Sequence, residues 1–126
     1  MLSVIAAVSF VVVLSVLAVF QVALACGAPW GAFAWGGGRR VLPARLRIAS
    51  GMSLLLYAVF ALVILDRADV IDILDDSVTR VAAWFIVGFM ALGVAANSAS
   101  RSKPERYVMT PVSLALTVTS LLVALG

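Results

Sequence analysis

Two sets of hydroxyl groups carry most of the polar chemistry in this chain. Ser50, Ser53 and Tyr57 are spaced i, i+3, i+7, and Ser113, Thr117 and Ser120 are spaced i, i+4, i+7. Both spacings place three polar groups on one face of a helix. Hydroxyls in apolar surroundings seek hydrogen-bond partners. The stripes therefore read as glue between helices, at about 0.6 kcal/mol per bond in a membrane. The alternative is a narrow polar path with Tyr57 at its centre. Gln21 and Asn97 are the only carboxamides outside the loops, and together they could guard a vestibule at one end of that path.

The remaining reactive inventory is thin. The chain has no histidine and one cysteine, Cys26. Nucleophilic catalysis that needs an imidazole partner is excluded, and a Cys/His metal site has no ligands to draw on. No cofactor, metal or enzymatic activity is expected. The segment "DRADVIDILDDSVT" holds five aspartates but lacks the alternating ligands of a calcium loop. It reads as a solvated acidic face on an amphipathic turn, with loose cation attraction at most.

Basic residues fall in two groups. Arg39, Arg40, Arg45 and Arg47 follow "GAPWGAFAWGGG", and Arg101, Lys103 and Arg106 lie in "SRSKPER". Either group could meet anionic lipid headgroups. The glycines of "GGGRR" could cradle an anion through backbone N–H groups, although no Lys-Ser/Thr follows as in a phosphate loop. Trp30 and Trp35, and likewise Trp84 and Tyr107, have amphipathic rings suited to the headgroup level. The loop they mark reads as an interfacial turn, or alternatively as a short re-entrant segment lining a cavity.

The elements that must position these groups follow from composition. The chain is 64% hydrophobic and 12% charged over 126 residues, about half the charge of a soluble domain. Such a chain cannot hide its apolar surface from water at this size. The surrounding solvent is lipid, and a single membrane domain over 1–126 is expected. Four segments approach the about 20 apolar residues of a spanning helix: residues 3–26, 46–65, 81–97 and 108–125. The last two are short and would need tilt. Leu42-Pro43 opens the second helix. Asp75, Asp76 and Ser77 are N-cap candidates for the third, with Asp76 and Arg80 an i, i+4 pair. Thr110-Pro111 reads as cap and first turn of the fourth. Were that helix to begin near Pro104, Pro111 would kink it. Gly88, Ala91 and Ala95 form a small-residue packing seam on the third.

Charge sets the expected orientation. Loops 27–45 and 98–107, with their flanks, hold seven basic residues, and the loop between the second and third helices holds only Arg67 and Arg80 beside the aspartates. Positive-inside bias places the two basic loops in the cytoplasm and both termini outside, in a cell (inner) membrane. A cleaved signal peptide ending at "ALAC" is the competing reading. It lacks basic residues in its first nine positions and has too long an apolar run. Nucleic acid is not an expected partner, because the basic groups are confined to short loops.

At "GAPWGAFAWGG", "VLPARLRIAS" and "NSASRSKPERYVMTPVSL" the chain resembles a group of small bacterial four-helix membrane proteins. The resemblance implies an all-α, integral membrane four-helix bundle and marks the two basic loops as its distinctive parts. It brings no activity, ligand or catalytic residue with it. Both loops share one side, which points to a joint cytoplasmic site.

No Asp, Glu, Lys or Arg lies at the middle of any of the four segments, Arg47 being at the very start of the second, which argues against proton-coupled transport. The expected function is a non-enzymatic accessory or structural subunit that packs as a homo-oligomer or within a larger membrane complex. The alternative is an oligomeric channel or carrier for a small neutral or anionic solute. An enzyme acting on lipid headgroups fits worst, because the aspartates and the basic loops lie on opposite sides.

Overall fold

The computed structural model describes residues 1–126 and is all-helical. Helix α1 spans Leu2–Ala25, α2 Ala44–Arg67, α3 Asp76–Ser98 and α4 Glu105–Leu125, the last opening with a π-helical turn at Glu105–Met109. All four are long and apolar enough to cross a membrane. The helices run up and down in sequence order. α1 lies between α2 and α4, α3 packs most closely on α4, α2 meets α3 more lightly, and the diagonal pairs touch least. One end of the bundle carries loops 26–43 and 99–104 and is called the lid end below. The other carries both termini and loop 68–75.

Only 25 of the 126 residues are buried, and Val12, Val16, Ile48, Leu55, Phe85 and Leu92 face outward. A water-soluble bundle turns such side chains inward. This surface suits hydrocarbon instead. The core fills the half of the bundle nearer the termini. Phe10 and Leu14 of α1, Phe60 and Ile64 of α2, Ile86 and Met90 of α3, and Leu116 and Val123 of α4 are all buried there. Phe60 meets Phe89 edge to face at 5.2 Å between ring centroids.

The helix ends show why the chain turns where it does. After α1, Gly27 adopts φ +95°. Its N–H reaches Leu24 O at 3.1 Å, and Ala28 N–H reaches Ala23 O at 2.9 Å. This is a Schellman cap, and the left-handed residue favours glycine. α2 closes in the same way around Asp69 at φ 62°, with Asp69 N–H on Asp66 O and Val70 N–H on Leu65 O, both 3.0 Å. Asp75 is the N-cap of α3, its carboxylate accepting from Ser77 N at 3.4 Å. Two arginines satisfy the last carbonyls of neighbouring helices. Arg47 Nε donates to Ala25 O at 3.0 Å, and Arg67 Nη2 donates to Gly126 O at 3.2 Å. A cation at a helix C-terminus is also favoured by the dipole.

Several expectations are corrected. α3 and α4 are 23 and 21 residues long, so neither is short. The polar first turn Asp76–Arg80 belongs to α3, because a capped helix end tolerates polar side chains at an interface. α4 begins before Thr110-Pro111, which lies inside the helix rather than at its start. Proline cannot donate a helical hydrogen bond, and its ring crowds the preceding turn. The π-helical turn widens the backbone just there. Asn97 Nδ2 at 3.3 Å and Ser113 Oγ at 2.8 Å supply donors to Met109 O beside it.

The longer helices also take in charged residues at their ends, and two of these are buried: Asp66 at 3% exposure and Glu105 at 7%. Loop 68–75 is irregular rather than an amphipathic turn of helix. Asp66 Oδ2 shapes it, accepting from Ile73 N at 2.7 Å and Leu74 N at 2.8 Å. Asp76 directs its carboxylate toward Asp66 and Asp72, with ligand oxygens of all three within 4.8 Å.

Asp66 thus fixes the α2–α3 connection through two charge-assisted bonds. Asp66→Ala is expected to cost about 2–4 kcal/mol, read as a lower thermal midpoint in detergent. Asp72→Asn removes only a neighbouring like charge, and the midpoint should not fall.

Candidate functional site

The residues between α1 and α2 fold back over the lid end. Two 3₁₀ turns, Gly31–Phe33 and Trp35–Gly37, build this cover. Gly31 N–H donates to Arg40 O at 2.8 Å and closes the loop on itself. A side chain at Gly31 would overlap the Arg39 carbonyl oxygen, so the close approach requires glycine. Trp35, Gly36 and Gly37 follow at φ 52°, 82° and 70°. Three successive left-handed residues reverse the chain, and two of the three are glycine for that reason.

Three contacts fasten the lid to separate elements. The Trp35 indole N–H donates to Ser50 Oγ of α2 at 3.0 Å. Gly36 N–H donates to Glu105 Oε2 of α4 at 3.3 Å. Ser102 Oγ, from the α3–α4 loop, donates to Ala32 O. The two basic loops are therefore interlocked as well as being on one side. Trp30 stacks on Phe20 of α1 at 6.3 Å, and Phe33 meets the same ring edge to face at 6.5 Å.

Beneath the lid lies a cavity of about 310 Å³. Phe33, Ala34 and Trp35 roof it. Leu17, Phe20 and Gln21 of α1, Ser53, Leu56 and Tyr57 of α2, Phe89 and Asn97 of α3, and Glu105 and Met109 of α4 form its walls. The size is at the lower edge of small-molecule sites, about 300–1,000 Å³. A second cavity of about 130 Å³ continues inward past Tyr57 and Asn97 to Ser113, and Met90 and Leu116 close it. An apolar groove of about 250 Å³ adjoins the first along Phe20, Trp30, Phe33, Val108 and Met109.

Gln21 sits in this wall at 8% exposure. Its Nε2 donates to Tyr57 Oη at 3.1 Å, and its Oε1 has no hydrogen-bond partner. Inverting the amide would transfer the deficit to Nε2. One half of this carboxamide is therefore unsatisfied in either orientation, and a buried polar group without a partner costs about 1–3 kcal/mol.

The structure divides the two hydroxyl stripes. Ser50, Ser53 and Tyr57 all serve the lid end, with Ser50 holding Trp35 and the other two lining the cavity. Ser113 shares the inner cavity with Tyr57 and accepts from Asn97 Nδ2 at 3.2 Å. Thr117 and Ser120 instead donate to their own helix, at Ser113 O (2.8 Å) and Thr117 O (3.0 Å). Tyr57 lines the inner cavity together with Ser113 and Leu116, and Ser120 does not reach it. Gln21 and Asn97 do line one vestibule.

The basic residues stand outside it. Arg39, Arg40, Arg45, Arg101 and Lys103 are exposed. Arg47 caps α1. Arg106 donates to Ser100 O at 3.4 Å and lies over the Tyr107 ring at 4.9 Å. Trp84 is exposed on α3, about two turns in from its start and so inside the span. Sequence reasoning missed Glu105. Its only signal was that it is the one acidic residue in a basic loop.

Searches against protein-family models, curated proteins and solved structures find no match to this chain. The functional reading rests on the site itself.

The lid and the bundle are separable in a test. Gly31→Ala is expected to raise amide hydrogen exchange across residues 28–40 by at least about tenfold, corresponding to a loss of about 1.4 kcal/mol, and to leave the helices protected. Gly38→Ala, where an added methyl meets open space, should exchange like the parent.

Proposed function

We propose that this chain is a non-enzymatic accessory protein of the cell's inner membrane whose working part is the lidded cavity. Both termini lie outside and the interlocked basic loops lie in the cytoplasm. The seven basic residues at the lid end, against two at the other end beside five aspartates, support that orientation. Exposed Arg39, Arg40, Arg45, Arg101 and Lys103 then sit where anionic headgroups are.

One observation carries the reading: the cavity lies at the lid end, and a packed aliphatic and aromatic core fills the half of the bundle nearer the termini. A site backed by such a core suits holding a small molecule or presenting it to a partner. It does not suit free passage across the bilayer. A single carboxylate with no imidazole or second acid beside it lacks the acid–base pair that hydrolytic chemistry draws on.

A second reading, self-association or docking on a larger membrane complex, is favoured by α3. Gly88, Ala91 and Ala95 face outward, and a methyl added at Gly88 would meet nothing within 4 Å. The small-residue seam is therefore free for a helix of another chain.

Both readings have direct tests in a Cys26→Ser background. Ser53→Cys is expected to react with an impermeant maleimide from the cytoplasmic face at least about tenfold faster than core Ile64→Cys, which is solvent-excluded by packing. Labelling of Ser53→Cys from the external face would indicate a through path and defeat the reading of a site closed toward that face. For the seam, Ala91→Cys should give disulfide-linked dimers in oxidised membranes, and Ala83→Cys, buried inside the bundle, should not.

A further inference from the structure

The hydrogen-bonding balance of the cavity identifies the chemistry it would take. Most of its donors are already committed. Trp35 N–H goes to Ser50, Ser53 O–H to Ala49 O at 3.0 Å, and the Asn97 amide to Met109 O and Ser113 Oγ. Met109 O can only accept, so the Asn97 amide nitrogen must face it and Oδ1 is left free. Glu105 accepts only one backbone N–H. What remains in a fixed orientation is a pair of acceptors: one carboxylate and the Asn97 carboxamide oxygen. Gln21 and Tyr57 are joined by one hydrogen bond that either amide orientation allows.

Charge points the same way. Glu105 is the only charged side chain in the wall, and it is buried at 7% exposure. The nearby arginines are directed elsewhere, Arg47 to the end of α1 and Arg106 to Ser100 and Tyr107. A carboxylate withdrawn from water without a cation is expensive. An anionic guest would add to that cost, and a neutral one would leave it in place. The rings of Phe20, Phe33, Trp35, Tyr57 and Phe89 line the same cavity, and aromatic rings attract cations.

Building on the reading of this cavity as a ligand site, we propose that it binds an organic ammonium ion with an apolar body. The ammonium N–H groups donate to Glu105 and Asn97 Oδ1, and the apolar part lies among the aromatic rings toward the groove at Trp30 and Val108. The same ammonium chemistry is offered by a free amine and by an ethanolamine phospholipid headgroup.

Calorimetric titration of the purified chain in maltoside micelles tests this with three probes of one shape: phenethylammonium, 2-phenylethanol and phenylacetate. The cation is expected to bind at least about tenfold tighter than the alcohol, and phenylacetate weakest. Glu105→Gln, which can still accept the Gly36 N–H, should reduce that preference to less than about threefold. Equal binding of cation and alcohol, or tightest binding of phenylacetate, would overturn the ammonium assignment and leave the cavity reading standing. No saturable binding of any probe would overturn both. Dihexanoyl phosphatidylethanolamine and the matching phosphatidylglycerol then compete against bound phenethylammonium. Displacement by the first alone assigns a lipid source, and displacement by neither assigns a free amine. Displacement by both counts against ammonium selectivity.

Discussion

Inside a bilayer no water completes a backbone hydrogen bond, and this constraint shapes nearly every feature of the protein. It demands helices across the span and a partner for each carbonyl and N–H where a helix stops. The chain answers with two Schellman closures, at Gly27 and Asp69, and with Arg47 and Arg67 on the last carbonyls of α1 and α4. Pro111 withdraws one donor inside α4, the π-helical turn eases the backbone ahead of it, and Asn97 and Ser113 bind the nearby Met109 carbonyl. Asp66 does the same for loop 68–75 by collecting two N–H groups. The irregular stretch 26–43 is tolerated at the lid end because it closes on itself and hangs from α2, α4 and the α3–α4 loop.

Against that background, groups left unsatisfied stand out. Gln21 and Glu105 are buried polar side chains with fewer partners than they can take, and they share one wall. A packing role would favour an apolar residue at either position, since burial of a lone polar group destabilises. The same wall holds Asn97, whose nitrogen is committed to the α4 turn and whose oxygen is not. One residue thus supports the backbone around Pro111 and also contributes an acceptor to the cavity, so the irregularity in α4 and the site are joined.

The four spans were legible from hydropathy, and the meeting of the two basic loops at one end was legible from the helix count, although the bond that interlocks them was not. Three features were not. The start of α4 was ambiguous between Thr110-Pro111, which reads as a helix opening, and a start near Pro104; the structure takes the second, with a π-helical turn ahead of Pro111. The division of the hydroxyl stripes, some lining the cavities and some bonding back to their own helix, depends on tertiary packing that spacing alone does not carry. Which apolar residues face the core was hidden for a more general reason. Lipid-facing and core-facing side chains are both aliphatic in a membrane helix, so the periodic contrast that marks a soluble helix is weak. The lid was foreshadowed by its glycines and tryptophans, but left-handed Trp35 and the Gly31–Arg39 approach are tertiary facts.

The lid fastenings set how readily the cavity opens. Three hydrogen bonds, to Ser50, Glu105 and Ala32, hold it over the bundle. At about 0.5–1.5 kcal/mol net each, they sum to about 2–5 kcal/mol before ring stacking is added. A barrier of that size permits transient opening without unfolding the helices. One fastening is also a feature of the site: Glu105 Oε2 receives the lid's Gly36 N–H, and Glu105 is the only charge in the wall. A cation drawn to that carboxylate competes with Gly36 for it. Occupancy and lid closure are then linked through one side chain, and any ligand that engages Glu105 must differ in affinity between the open and closed lid.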